Sequence, residues 1–302
     1  MGDGDGWVQC GLGHRHWGRF GACGLLLTDP AGRRIVLQHR SLRSHEGGTW
    51  GIPGGARDSG EDSVTAALRE ACEEAGIEPA AVAPLGWHRV DHGGWTYTTV
   101  LARPRRDIAP RAANWESDQM RWWPVDRVDE LALHPGFAAS WPELHRPAEP
   151  LTVVVDAAGV SGSGSAGPRG AEFLARVGAE SVALARFGVA PGDIPRPATS
   201  VALNGWLPRI VLVVAPVGYV GYRPDELVPA GAGADAWPDR QVQVVTATGS
   251  VEAEVAAQAG QAGGTVIAVG DGHPPLRPGV VRRDARWWRR QVDHAGPEGG
   301  LD

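Results

Sequence analysis

The chain contains no lysine: every one of its basic residues is arginine, in a total of 29 Lys+Arg against 35 Asp+Glu. With 43 Gly and 24 Pro in 302 residues, this is the composition of a GC-rich coding sequence. An arginine at a given position therefore carries no message about Arg chosen over Lys. Cysteine is scarce too. Cys10, Cys23 and Cys72 are odd in number and far apart, which excludes a disulfide framework. No run of about 18 apolar residues occurs, so no transmembrane helix and no membrane partner are expected. The opening segment MGDGDGWVQC lacks a basic stretch followed by an apolar one, so no signal peptide is expected and the protein is placed in the cytoplasm. Surplus positive charge is also missing. A net charge of −6 supplies no general attraction to nucleic acid.

What is present is the make-up of an ordinary globular protein, 42% hydrophobic and 21% charged, at a length that suits two domains. From about Trp17 to Leu144, short strand-like runs alternate with turns. The runs are GACGLLLTD, RIVLQHR, GWHRVD, WTYTTVLA and MRWWPV; PAGR joins the first two, and HGG suggests a hairpin between the third and fourth. The stretch VDRVDELALHPGFAASWPEL predicts one or two short helices interrupted at Pro135. Then HRPAEP, with two prolines and no apolar pattern, predicts a linker. Beyond it, LTVVVDAAGV, RIVLVVAPVGYV, QVQVVTA and TVIAVGD are near-continuous apolar runs, as in strands buried on both faces. They alternate with Ala-rich helical segments, which predicts a parallel α/β sheet. The expected boundaries are 1–146, a linker at 147–150, a second domain at 151–290 and a disordered polar tail at 291–302.

One helix, expected over 59–76, concentrates charge in an unusual way. Val64, Ala67, Leu68, Ala71, Cys72 and Ala75 form an apolar stripe, and Glu70, Glu73 and Glu74 are expected together on the far side. Like charges at i,i+4 repel by about 0.2–0.5 kcal/mol per pair. Their crowding predicts a positive partner. Asp58 with Glu61 resembles a capping box, Ser59 being the alternative N-cap, and Gly76 follows the last apolar position as a C-cap. Just upstream, GGTWGIPGG sets five glycines around Trp50 and Pro53, where backbone can approach a ligand closely.

Gly55, Glu61 and REACEEAGI from Arg69 together resemble the Nudix box, G-x5-E-x7-R-E-U-x-E-E-x-G-U with U apolar. Only Ala71 is smaller than the usual residue. The resemblance covers about residues 15–145 and implies an α/β/α sandwich with a mixed sheet. It implies Mg²⁺ or Mn²⁺ held mainly by Glu70 and Glu74, assisted by Glu73 and by a backbone carbonyl near Gly55, with Arg69 pairing with Glu73. Carboxylate oxygens are apt ligands for those hard cations. The implied reaction is hydrolysis of a nucleoside-linked diphosphate by water attacking phosphorus. Glu116 is either the general base (or a substrate contact) or an ordinary loop carboxylate, and Glu61 braces the loop. Arg40 and His39 at a strand end are candidates for phosphate, with Gly54 in the glycine-rich loop. Trp50, Trp95 and Tyr97 are candidates for stacking on a base, packing being the alternative for each. DHGGWTYTTVLA resembles the equivalent region of bacterial 8-oxo-dGTP diphosphatases. A nucleoside triphosphate therefore leads as substrate, with ADP-ribose, dinucleoside polyphosphates and an RNA 5′ end open. A non-catalytic nucleotide sensor is the rival reading.

The segment LTVVVDAAGVSGS and the α/β pattern after it resemble the NYN branch of PIN-like nucleases, in degenerate form. Asp156 matches the first acid and Asp271 a last one, while Glu252 or Glu254 stands in for a paired-Asp pattern. Gly159 occupies a position where Asn is usual, and loss of nuclease activity is the favoured expectation. Such a domain could bind RNA, form a homodimer or cap the first site. Arginines interleaved with Trp287 and Trp288 in VVRRDARWWRR fit RNA contact if they are exposed. Cys10, His14 and His16 offer zinc-type donors. No second pair at finger spacing accompanies them, so structural histidines or a loop at the substrate mouth is the favoured reading.

Overall fold

The strands predicted by GACGLLLTD and RIVLQHR form, but they belong to different sheets. The computed structural model describes residues 2–161, 168–216, 241–272 and 274–295. Two units emerge: residues up to Ala148 together with Pro197–Asn204, and Glu149–Arg196 together with Gly205 onward.

In the first unit, β1 (Trp7–Gln9) and β2 (Arg15–Trp17) form an antiparallel hairpin that the sequence patterns did not predict. The main sheet contains β3 (Ala22–Leu27), β6 (Gly54–Ala56), β7 (Val82–Asp91) and β8 (Thr96–Pro104) in the order β7-β8-β3-β6. It is mixed, as expected: β8 and β3 run parallel, and the other two pairings are antiparallel. The HGG hairpin is present, its Gly93 and Gly94 at φ 74° and 89°, where glycine is favoured. A second, antiparallel sheet joins β4 (Arg34–Arg40) to β5 (Trp50–Gly51) and β9 (Ser117–Pro124).

Helix α1 (Ser63–Ala75) packs on β3, β6 and β8 through Val64, Ala67, Leu68, Ala71 and Ala75, all buried. It starts four residues later than expected. Asp62, rather than Asp58 or Ser59, is the N-cap, accepting from the N–H groups of Val64 (3.1 Å) and Thr65 (2.9 Å). Gly60, at φ 72°, lies in the loop before it. Gly76 closes the helix at φ 64°, as expected. The expected two short helical pieces form, a 3-10 helix at Val125–Glu130 and an α-helix that opens at Pro135. Pro135 stands in the first turn of α2 (Pro135–Leu144), where a missing N–H is tolerated. Residues 197–204, expected in the second domain, lie instead against β7 and α2. Asn204 Oδ1 accepts from Arg89 N–H (2.7 Å), and the Ala202 N–H donates to Glu143.

The second unit is built on an all-parallel sheet. Its elements are β10 (Leu151–Asp156), α3 (Ala157–Ser161), α4 (Pro168–Phe187), β11 (Gly205–Trp206), β12 (Arg209–Val214), β13 (Val242–Thr246), α5 (Val251–Gln261), β14 (Thr265–Val269), β15 (Val280–Arg283) and α6 (Ala285–His294). The sheet order is β13-β12-β10-β14-β15. Val154, Val211, Val213 and Val266 meet Val255 and Ala259 of α5 in its core. The end of the predicted run RIVLVVAPVGYV lies outside the described residues, as does 296–302 of the expected tail. Residues 291–294 of that tail are helical. Among the described residues no helix is long and apolar enough to cross a membrane.

Candidate active site

The three glutamates do not form a solvated face on the far side of α1. Glu74 is 1% exposed, turned toward the sheet, and its Oε2 accepts the Gly54 N–H at 2.8 Å. Its Oε1 is buried with no hydrogen-bond partner. Glu70 is largely covered and Glu73 is exposed, with 14% and 57% of their side chains accessible. A one-turn difference in depth follows from 100° per residue: position 74 rotates back toward the apolar stripe.

Arg69, expected to pair with Glu73, is arranged differently from that expectation. It does not chiefly pair with Glu73, whose Oε2 stands 3.7 Å away. Its Nε and Nη2 donate to the two carboxylate oxygens of Glu61, both at 3.0 Å. Nη1 reaches Glu70 Oε1 at 2.8 Å, and Nη2 also donates to Ala56 O at 3.0 Å. The planar fork suits this bidentate task. Glu61 thus braces the loop through Arg69, which holds Glu70 in place.

Burial pushes Glu74 up to about 8, with the charges of Glu70 and Glu116 adding to it, while the Gly54 N–H and Gln38 pull the other way. Burial likewise lifts Glu70 to about 7 against the pull of Arg69, and Glu73 and Glu116 raise it further. Glu116, just before β9, thus lies near enough for its charge to act on both carboxylates. Gln38 was missed in the sequence. Buried in β4, it donates from Nε2 to Ser117 Oγ at 2.8 Å and stands beside Glu74. A polar residue directly after the apolar run Ile35–Leu37 was the available signal.

Tyr97 joins this group. Its hydroxyl would lie 2.4 Å from a Cβ at Gly24, so only glycine fits there, and its environment includes Cys23, Glu74, Arg40 and Glu70. Arg40 also donates from Nε to His45 O. Gly54 serves Glu74 through its N–H. Trp50 and Trp95 are different. Trp50 is 8% exposed and packs against His39, Trp123 and the Arg121 guanidinium. Trp95, 8% exposed, is stacked on His16 at 4.0 Å. With a face of each already covered, neither is a free wall for a base. Trp115, unremarked in the sequence, is 63% exposed next to Glu116.

The residues fit a divalent cation. Glu70 lies so close to Gly55 that a Cβ there would fall 2.7 Å from both carboxylate oxygens, and Glu74 offers an unpartnered buried oxygen beside it. Hard oxygen donors in a partly dry site suit Mg²⁺ or Mn²⁺.

In the second unit, Asp156 ends β10 and Asp271 follows the adjacent β14 at the carboxyl edge, while Glu252 follows β13, two strands from β10 on its other side. Asp156 Oδ1 accepts from Ala158 N–H (3.0 Å) and Gly159 N–H (2.9 Å), turned back onto the start of α3. A Cβ at Gly159 would collide with it. Glu252 lies in the first turn of α5 behind the Ser250 cap, and Asp271 is exposed. Trp287 and Trp288 are each 1% exposed. The aromatic half of the expected RNA contact therefore belongs to the core.

The NUDIX domain family matches residues 18–144. A Mycobacterium tuberculosis protein named "Putative 8-oxo-dGTP diphosphatase 3" is 48% identical over 152 residues, covering 47% of this chain and 70% of its own. A Bifidobacterium longum nucleoside triphosphate pyrophosphatase/Nudix hydrolase fusion protein is 46% identical over 148 residues, which make up 47% of this chain but only 31% of that protein's length. The crystal structure of the Nudix hydrolase RenU from M. smegmatis shares 45% identity, covers 47% of this chain and 92% of RenU, and superposes with a TM-score of 0.43. The chain belongs to the Nudix family, and its first unit is by kinship a pyrophosphohydrolase.

Proposed function

We propose that the first unit hydrolyses the diphosphate linkage of a nucleoside triphosphate, 8-oxo-dGTP being the first compound to test, with Mg²⁺ or Mn²⁺ held by Glu70, Glu73, Glu74 and the carbonyl at Gly55. The observation that carries this reading is the unpartnered, buried Glu74 oxygen beside Glu70. A bound cation would neutralise diphosphate charge and lower the pKa of water at the site. Arg69 fixes Glu70 for that task through three further contacts to Glu61 and Ala56. Glu116, whose charge acts on Glu70 and Glu74, takes the proton of the attacking water. Arg40 binds phosphate oxygens, and Tyr97 shapes the floor beside Gly24. Trp115 is the exposed aromatic available to stack on the base.

The reading is tested by phosphate and pyrophosphate release from unmodified, oxidised and sugar-linked nucleotides. Glu70→Gln and Glu74→Gln should each lower kcat by about a hundredfold or more, the scale of losing one preorganised charge-stabilising group. Turnover that both variants preserve would sink it. Binding without turnover would favour the sensor.

For the second unit, a degenerate PIN/NYN-like role remains our proposal. In its favour stand the parallel sheet and the acids at one edge, where ligands of such sheets bind. Asp156 acting as a cap agrees with lost nuclease activity.

A further inference from the structure

A second set of metal donors lies in the N-terminal hairpin, apart from the glutamates. β1 and β2 pair Val8 with His16 and Gln9 with Arg15, and the Cys10 N–H donates to His14 O at 2.9 Å across the turn. Side chains alternate along strands, so Cys10, His14 and His16 project from one face of the hairpin. Their ligand atoms all lie within 4.8 Å of one another, and among the described residues no other trio of His, Cys, Asp or Glu is held so closely. His92, in the β7–β8 turn, places its ring 4.7 Å from that of His16 and 6.2 Å from that of His14. Cys10 is buried, and His16 Nε2 is buried without a hydrogen-bond partner. Behind it, Trp95 stacks on the His16 ring and donates from its own Nε1 to Gly18 O at 2.8 Å, fixing the imidazole's plane.

We propose that Cys10, His14, His16 and His92 bind a Zn²⁺ ion that pins the N-terminal hairpin to the β7–β8 turn. One sulfur and three imidazoles form a borderline-soft set that selects zinc over Mg²⁺. A tetrahedron with bonds of about 2.0–2.3 Å has edges of about 3.3–3.8 Å, so the trio closes by about 1 Å, within reach of side-chain rotation. On binding, the Cys10 thiol releases its proton to solvent and its sulfur ligates as thiolate. The hairpin already touches this turn, through Gly11 N–H to Gly93 O at 2.7 Å. The segment before it grips the loop into α1, where Gly4 N–H donates to Asp58 and Ser59 N–H to Asp3, both at 2.9 Å. A zinc clasp would thus stiffen the approach to the glutamate centre.

The test uses the full chain, stripped with chelator and reloaded with Zn²⁺ alone, then with Co²⁺ as a spectroscopic substitute. The wild type should retain about one zinc per chain after dialysis and show a thiolate-to-cobalt charge-transfer band. His14→Asn and Cys10→Ser should weaken binding at least about tenfold and reduce or remove that band, while Glu70→Gln, which addresses the other centre, should keep both. Because Cys10 is buried, Cys10→Ser can disturb folding; exposed His14 provides the independent variant. A wild type that retains no zinc overturns the proposal. So does zinc that survives in both hairpin variants and is lost in Glu70→Gln.

Discussion

At the scale of single residues, the candidate aromatics divide into two that are packed and one that is exposed. Trp50 and Trp95 each have ring faces covered by histidine, arginine or tryptophan. Trp115 is open, next to Glu116. Stacking of a base on an aromatic ring is worth about 1–3 kcal/mol. Trp115→Ala should therefore raise KM for the nucleotide about tenfold or more with kcat little changed, whereas Trp115→Phe should recover most of the loss. Steady-state kinetics on the best substrate reads this directly, and an unchanged KM would remove Trp115 from the binding site. Depth within the helix was the feature least legible here. Spacing placed Glu70, Glu73 and Glu74 together, but a carboxylate stays dry only if something satisfies it, and for Glu74 that is the backbone N–H of Gly54, twenty residues upstream.

At the scale of elements, α1 carries the glutamates of the proposed centre, and its first turn sets where they point. Asp62 accepts two backbone N–H groups and the Thr65 hydroxyl, at 2.9–3.1 Å. Asp62→Ala should destabilise the fold by about 0.5–2 kcal/mol, read as a lower urea midpoint with the slope unchanged. A variant as stable as the wild type would return the cap to Asp58 or Ser59. The pattern favoured those two because a capping box is a local signal, and Glu61 sits at the right spacing. Glu61 does reach back to the Asp58 N–H at 3.2 Å, but both its oxygens are also held by Arg69, a partner eight residues on. In the second unit, Trp287 and Trp288 show the same limit. Their spacing along α6 was plain, while Trp288's bond to Glu180 at 2.8 Å required α4 to pack beside it.

At the scale of the molecule, the proposed centre ties the first unit's stability to protons and, through the proposed metal, to a cation. Glu70 and Glu74 titrate near 7 and 8, above the ordinary value of 4.5. A carboxyl raised in this way is neutral in the fold at low pH and must ionise, buried, as pH rises. Without metal, the folded state loses stability progressively from about pH 4.5 to 8, and the penalty is fully present above that window. On the proposed reading, a divalent cation would replace those protons. The upward shift in Tm caused by saturating Mg²⁺ should hence be small near pH 5 and largest near pH 8, and a shift that is flat or falls with pH would contradict the arrangement.

By itself, the sequence determined most of the strands, the presence of α1 and the family of the first unit. Apolar runs specified strands, helical spacing specified α1, and the Gly55, Glu61 and Arg69–Ile77 pattern specified a Nudix centre, because those signals are local and periodic. Tertiary structure alone decided which carboxylate is buried, that Arg69 holds Glu61 and Glu70, that residues 197–204 return to β7, and that His92 arrives beside Cys10, His14 and His16. Each of these joins residues distant in the chain. Burial and hydrogen-bond partnership across such distances come from packing, which no local pattern encodes.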